Sequence, residues 1–233
     1  MPKIYLSPSL QTANLCKFGD TESDHCQMYT DLLEQYLNAS GIETRRNRGA
    51  SFPEVLAESG EYKPDFHYAP HTNAFNGATR YSVLLVFSTN TASPAAACCA
   101  HIKSHRARLY PRPIYINQNR QIYEVLRTKA PCIYDEILFH DNDEDCRLFH
   151  AHMQEFARLT ALGFCDHFGL PLVEPAAIPA DAPAAGCHCN CNCGETDDCL
   201  QSRYDTSRQE LAALKARYET LLEELRTLMT GHG

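Results

Sequence analysis

The sequence predicts an α/β protein: a mainly parallel sheet with helices on both faces, followed by a linker and a C-terminal coiled-coil-like helix. Three observations carry this. Short apolar runs rich in β-branched and aromatic residues alternate with longer stretches of helical periodicity. One of those runs, Val83-Leu84-Leu85-Val86-Phe87, is continuously apolar, as strands buried on both faces are. Around Leu170 the composition changes, first to Pro and Ala, then to cysteine, then to leucine heptads.

Ile4-Tyr5-Leu6 reads as the first strand, stopped by Ser7-Pro8-Ser9. After a polar loop, Cys26, Tyr29, Leu32, Leu33, Tyr36 and Leu37 fall on one helical stripe, with Asp20 and Thr21 as N-cap candidates and Gly41 as the stop. Ile42 to Arg46, Phe66 to Ala69 and Val83 to Phe87 read as the next three strands. Ser93-Pro94 has the form of a cap followed by proline at the first helical position, with the helix running to about Tyr110. Ile114 to Ile116 is a short extended piece, and Cys132 to Phe139 a strand interrupted by Asp135-Glu136. A last helix spans about Arg147 to Phe168. The organisation is thus a domain over 1–170, a Pro/Ala-rich linker over 171–186, a Cys-rich segment over 187–199 and an amphipathic heptad helix over 202–230. In that helix Leu211, Leu214, Tyr218, Leu221, Leu225 and Leu228 alternate spacings of three and four, an a/d seam. The seam suits a homo-oligomer or docking of the helix in cis, since both use the same stripe.

Of 233 residues, 44% are hydrophobic and 21% charged, ordinary for a globular protein. No apolar run approaches the roughly 18 residues of a membrane span, so a membrane partner is not expected. The net charge of −8 argues against nucleic acid, which needs a basic surface. The first residues lack the apolar core of a signal peptide, so synthesis in the cytoplasm is expected. Twelve cysteines divide into seven scattered over the domain, read as small buried hydrophobes, and five between Cys187 and Cys199. Cysteine at every second position, as in Cys187-His188-Cys189-Asn190-Cys191, does not match the Cys-x2-4-Cys spacing of structural zinc sites. Soft-metal binding, inter-chain cross-links and compositional bias without a defined role all remain readings of it.

Polar residues at apolar positions mark the chemistry. Glu22 lies four residues before Cys26 and seven before Tyr29, on the inward stripe of its helix, where a carboxylate is costly unless paired. A bound cation or a capping role explains it. His71, in Pro70-His71-Thr72-Asn73-Ala74, follows a predicted strand, and ligands of α/β sheets bind at the carboxyl ends of strands. Glu136 breaks an apolar strand, which suits a tuned acid or base, or a strand end already in solvent. His67 shares the face of His71 and reads as a wall or core residue. His25, three residues after Glu22, has the Glu-x-x-His spacing that can face one metal. Together Glu22, His71 and Glu136 suggest a zinc hydrolase, with His and Glu as ligands and the second Glu as proton acceptor.

Over about residues 3 to 170 the sequence resembles the zinc-dependent N-acetylmuramoyl-L-alanine amidases of bacterial autolysins and phage endolysins. Ile4-Tyr5-Leu6-Ser7-Pro8-Ser9-Leu10-Gln11 sits where that family has its first strand and metal loop. Glu22 matches the family's glutamate ligand, and His71, in His71-Thr72-Asn73-Ala74, a histidine ligand. Glu136, in Asp135-Glu136-Ile137-Leu138-Phe139, matches the catalytic glutamate, and Asn142 the asparagine beyond it. The resemblance implies an ordinary residue at the position of His25, which makes it a surface histidine. The resemblance implies zinc as cofactor, peptidoglycan as substrate and action at the cell wall. One position departs: the family's Gly-His of the first loop aligns with Ser9-Leu10, and leucine cannot bind zinc. The Ser-Pro-Ser-x-Gln form resembles a subgroup of phage and prophage amidases. His140, four residues past Glu136, is the favoured third ligand by residue type, and Gln11 the other candidate. Two further readings stand beside the hydrolase: a non-catalytic wall-binding or scaffold module with a degenerate site, and a zinc peptidase or amidase acting on another substrate.

Overall fold

A computed structural model of the chain describes residues 1–47 and 51–176. The expected Cys-rich segment and heptad helix, and most of the linker, lie outside the described residues. The elements are β1 (Lys3–Leu6), α1 (Glu22–Ala39), β2 (Glu43–Arg46), α2 (Phe52–Tyr62), β3 (Phe66–Asn73), β4 (Ser82–Val86), α3 (Pro94–Arg106), β5 (Ile114–Gln118), α4 (Tyr123–Arg127), β6 (Cys132–Phe139) and α5 (Asp143–Phe168). No helix among the described residues is long and apolar enough to cross a membrane.

The strands form one sheet in the order β2-β1-β3-β6-β4-β5. β2, β1, β3 and β6 pair in parallel, as do β4 and β5, and the single antiparallel contact joins β4 to β6. Alternation sorts the side chains onto two faces. Ile4, Leu6, Phe66, Tyr68, Leu84, Val86 and Ile133 form the main core with Tyr29 and Leu33 of α1, Cys98 and Ile102 of α3, and Phe149, Phe156 and Phe164 of α5. Ala69, Cys132 and Tyr134, of opposite parity, pack on Val125 of α4. On that same side Tyr5 donates to Glu58 of α2 at 2.8 Å. Helices therefore cover both faces, as the alternating pattern requires.

Three local details differ from the expectations. α2 and α4 are additional helices, and α2 starts at a capping box in which Glu54 accepts from both the backbone and the hydroxyl of Ser51. Asp135 and Glu136 do not interrupt β6, which runs unbroken from Cys132 to Phe139. Asp135 is absorbed by a buried ion pair with Arg106 of α3 at 2.6 Å. α5 begins at Asp143 because Asn142 caps it, accepting from the backbone N–H groups of Glu144 and Asp145. All seven cysteines of the first 170 residues are free and buried, as read from their scatter.

Candidate active site

The register of β3 on β6 sets His71 directly beside Glu136. Both point to the face that carries Ala69 and Tyr134, near the carboxyl ends of two parallel strands. The ring of Tyr134 stacks on the His71 imidazole with centroids 4.2 Å apart, which fixes the plane of that ring. β1 delivers a third group. Beyond Leu6 the chain keeps pairing with β3, through Ser7 N–H to Tyr68 at 2.8 Å and Ser9 N–H to Pro70 at 3.0 Å, so Gln11 emerges next to His71. The following loop folds back on itself, through a bridge between Leu15 and Thr21 and a turn at Gly19 with φ 94°. It re-enters at α1 with Thr21 as N-cap and Asp24 as the capping carboxylate. Glu22, the first helical residue, is not the cap and is left pointing inward, 2% exposed.

Glu22 Oε1 lies 2.7 Å from His71 Nδ1. Asn14 donates to Glu22 Oε2 at 2.8 Å and to Gln11 Oε1 at 2.7 Å. The second bond turns the amide of Gln11, so that its Nε2 lies 3.4 Å from both Glu22 Oε1 and His71 Nδ1. Burial works against ionisation of Glu22, but hydrogen bonds from His71, Asn14 and Ser9 outweigh it and hold the carboxyl below its usual range. Glu136 is in the opposite condition. Burial above all, with the Glu22 and Asp135 charges adding to it and His71 opposing it, pushes its carboxyl up to about 7. Its Oε2 is buried without a hydrogen-bond partner. Two carboxyl groups next to one imidazole are thus split into a firm anion and a group poised to exchange a proton near neutrality.

Of the residues singled out in the sequence, Glu22, His71 and Gln11 touch one another, and Glu136 adjoins His71 across the ladder. His140 is placed differently. The expectation that it shares the side of Glu136 assumes a continuous strand, but β6 ends at Phe139 and the register shifts by one residue between His71/Glu136 and Asn73/Phe139. Such a shift reverses the facing of everything beyond it. His140 Nδ1 instead sits 3.0 Å from the carbonyl of Thr72 and 2.9 Å from its hydroxyl. Burial holds this imidazole below its usual pKa, against the pull of the Glu22 charge. Glu22, His71 and His140 do not bring ligating atoms mutually within 4.8 Å, whereas among the described residues Cys16, Asp20 and His25 do. His67 is a core residue, fully buried between Ser59 at 2.9 Å and Glu124 at 2.6 Å. His25 is not on the surface but 0% exposed. Asn14 was not singled out: a polar residue in a polar loop carries no signal until the loop folds back.

The donor set suits a divalent cation in part. A carboxylate and an imidazole already meet at 2.7 Å, and an unpartnered buried carboxyl oxygen stands in the next register position. The third neighbour, Gln11, presents N–H rather than a lone pair in this network.

No protein-family model matches the chain, and no curated protein matches it in sequence. Solved structures do match. The catalytic domain of CwlV, an N-acetylmuramoyl-L-alanine amidase from Bacillus (Paenibacillus) polymyxa var. colistinus, aligns with TM-score 0.62 and 14% identity over 73% of this chain and 100% of its own. The amidase AmiC2 of Nostoc punctiforme aligns with TM-score 0.62 and 13% identity over 72% of this chain and 97% of its own. The catalytic domain of the CD27L endolysin, which targets Clostridia difficile, aligns with TM-score 0.57 and 16% identity over 71% of this chain and 98% of its own. The α/β fold described here is therefore that of N-acetylmuramoyl-L-alanine amidase catalytic domains.

Proposed function

We propose that the chain is a peptidoglycan hydrolase that cleaves the amide between the lactyl group of N-acetylmuramic acid and L-alanine. The observation that carries this reading is Glu136: a buried carboxyl pushed up to about 7, with an unpartnered oxygen, beside a Glu22–His71 pair. Its setting supports it, a fold whose solved examples include amidases that act on this bond.

Glu22 and His71 would hold a zinc ion, with Gln11 or His140 as the third contact. The contacts favour Gln11, which already touches both partners; residue type favours His140. When bound, zinc supplies Lewis acidity at the scissile carbonyl. The chain does the rest. Asn14 fixes Glu22 as an anion, and Tyr134 fixes the His71 ring. Glu136 takes the proton of the attacking water and passes it to the departing alanine nitrogen, a task suited to a carboxyl near neutrality. Phe75, 78% exposed two residues past β3, would offer a polymer chain an apolar contact. The heptads of 202–230 would serve as an oligomerising or wall-targeting arm.

Gln11 in place of a charged or imidazole ligand keeps a second reading, a wall-binding module with a degenerate metal site. Purified cell walls separate the two. The hydrolase releases alanine amino termini in step with turbidity loss and no new reducing sugar, and Glu136→Gln lowers the release by about 10²–10⁴-fold. A wall-binding module sediments with the walls and releases nothing.

A further inference from the structure

Outside the site just described, the loop after β1 and the helices α1 and α5 bring a second set of ligating groups together. His25 Nε2 lies 2.7 Å from Asp20 Oδ2 and 2.9 Å from His150 Nε2, and His150 Nε2 lies 3.4 Å from the same Asp20 oxygen. The two imidazoles meet in a T, their centroids 4.7 Å apart and their planes 80° apart. Cys16 Sγ stands 3.2 Å from the other nitrogen of His25, Nδ1. The second oxygen of Asp20, Oδ1, is buried without a hydrogen-bond partner.

We infer that Asp20, His25 and His150 form a binding site for a divalent transition metal, of which zinc is the natural occupant, distinct from the Glu22–His71 pair. The geometry carries it. A triangle with these three edges has a circumradius of about 1.8 Å, shorter than the zinc–nitrogen distance of about 2.0–2.1 Å. An ion can therefore reach all three atoms from about 1 Å above their plane without any of them moving apart. Two imidazoles and a carboxylate are borderline ligands that suit zinc, and they leave a fourth position open. Cys16 orients the site rather than ligating it, because it lies on the Nδ1 side of His25 and the other ligands lie on the Nε2 side. With Nδ1–H donating to Cys16 Sγ, the Nε2 lone pair of His25 is left for the metal.

The site is open enough to load from solution. The side chain of His150 is 24% exposed and that of Asp20 22%, while His25 forms the buried floor. A break in α5 follows immediately, at His152 with φ −132° and ψ 22°, so the turn bearing His150 is aimed independently of the rest of the helix. The consequence is structural. Asp20 belongs to the same loop as Gln11 and Asn14, which hold Glu22 in place. A metal at Asp20 ties that loop to α1 and α5, so its binding energy becomes folding energy for the loop.

Full-length protein stripped with a chelator and then dialysed against zinc alone tests this, with bound zinc counted per chain. His150→Gln and Asp20→Asn should each bind one equivalent fewer than wild type, and the wild-type rise in melting temperature on zinc addition should shrink. His71→Gln should keep that equivalent. A His150→Gln or Asp20→Asn chain that binds as much zinc as wild type overturns the inference. A His71→Gln chain that loses nothing overturns the catalytic metal reading instead. The wild-type chain provides a readout independent of variant folding. Zinc should protect His150 from carbethoxylation by diethyl pyrocarbonate, read by peptide mass spectrometry, and unchanged labelling at His150 refutes the site.

Discussion

At the scale of single residues, Glu136 binds function and stability in opposite senses. Its pKa is raised from 4.5 to about 7 by burial, so the folded chain holds a proton there that the unfolded chain has released over that interval. Stability is therefore lost as pH rises from about 4.5 to about 7, and the loss is complete above it. Glu136→Gln removes the ionisation while keeping the shape. In metal-free protein the variant should match wild type near pH 4 and exceed it at pH 8 by up to about 3 kcal/mol, read from urea denaturation at both values. The same substitution should lower wall hydrolysis by about 10²–10⁴-fold. Since the base must be ionised to act, activity should rise with pH through an acid limb at or below about 7, a bound cation moving it lower. Gln11 gives the complementary test. It touches both Glu22 and His71, so Gln11→His places an imidazole where the amide stands, and zinc affinity should rise by at least about 10-fold in competition dialysis.

At the scale of elements, close approach decides more than propensity. α3 and α5 cross at Gly163, where an added Cβ would lie 2.6 Å from Ile102 Cγ1 and 2.7 Å from the Ile102 backbone. Alanine is the better helix former by about 1 kcal/mol, yet Gly163→Ala should destabilise by about 1–3 kcal/mol in thermal denaturation, because the backbone of α3 cannot yield as a side chain would. Lys63 gives the reverse case. It closes α2 in the left-handed region at φ 51°, so Lys63→Gly should stabilise by about 1 kcal/mol. The elements themselves were largely legible. Helical stripes located α1 and α5, the Ser93-Pro94 cap located α3, and apolar runs located all six strands, because each signal is local. The sequence does not mark α2 although Ser51 and Glu54 spell its capping box with Pro53 in the first turn, since its stripe is weak: Val55 and Ser59 are its only buried residues. The bulge in β6 that turns His140 away from Glu136 had no local signal, because a register shift belongs to a pair of strands and not to either sequence.

At the scale of the whole molecule, strand order and loop return bring Gln11, Glu22, His71 and Glu136 together, and both depend on contacts far apart in the chain. Glu22 and Glu136 were legible as misplaced carboxylates and His71 as a strand-end histidine, while Gln11 stood out only through the resemblance; their meeting was not legible. One buried cluster shows what holds those distant parts in place. The Arg106 guanidinium of α3 grips Asp135 of β6 with Nη1 at 2.9 Å and Nη2 at 2.6 Å, both side chains 0% exposed. It also donates to Tyr29 of α1 at 2.8 Å, Tyr68 of β3 at 3.1 Å and Thr160 of α5 at 2.9 Å. The cluster thus joins three helices to the two strands that carry His71 and Glu136. A fully buried pair owes little net stability to its own attraction, since desolvation offsets it, but losing one member strands a charge. Asp135→Asn should therefore cost about 3–5 kcal/mol. The double variant Arg106→Met with Asp135→Leu should cost much less than the two single changes combined, because Tyr29 still bonds Tyr68 at 3.1 Å and Thr160 at 2.8 Å. A double-mutant cycle by chemical denaturation measures that coupling. Strict additivity would mean that the ion pair is a passenger in the core rather than the tie between the two strands and the helices above them.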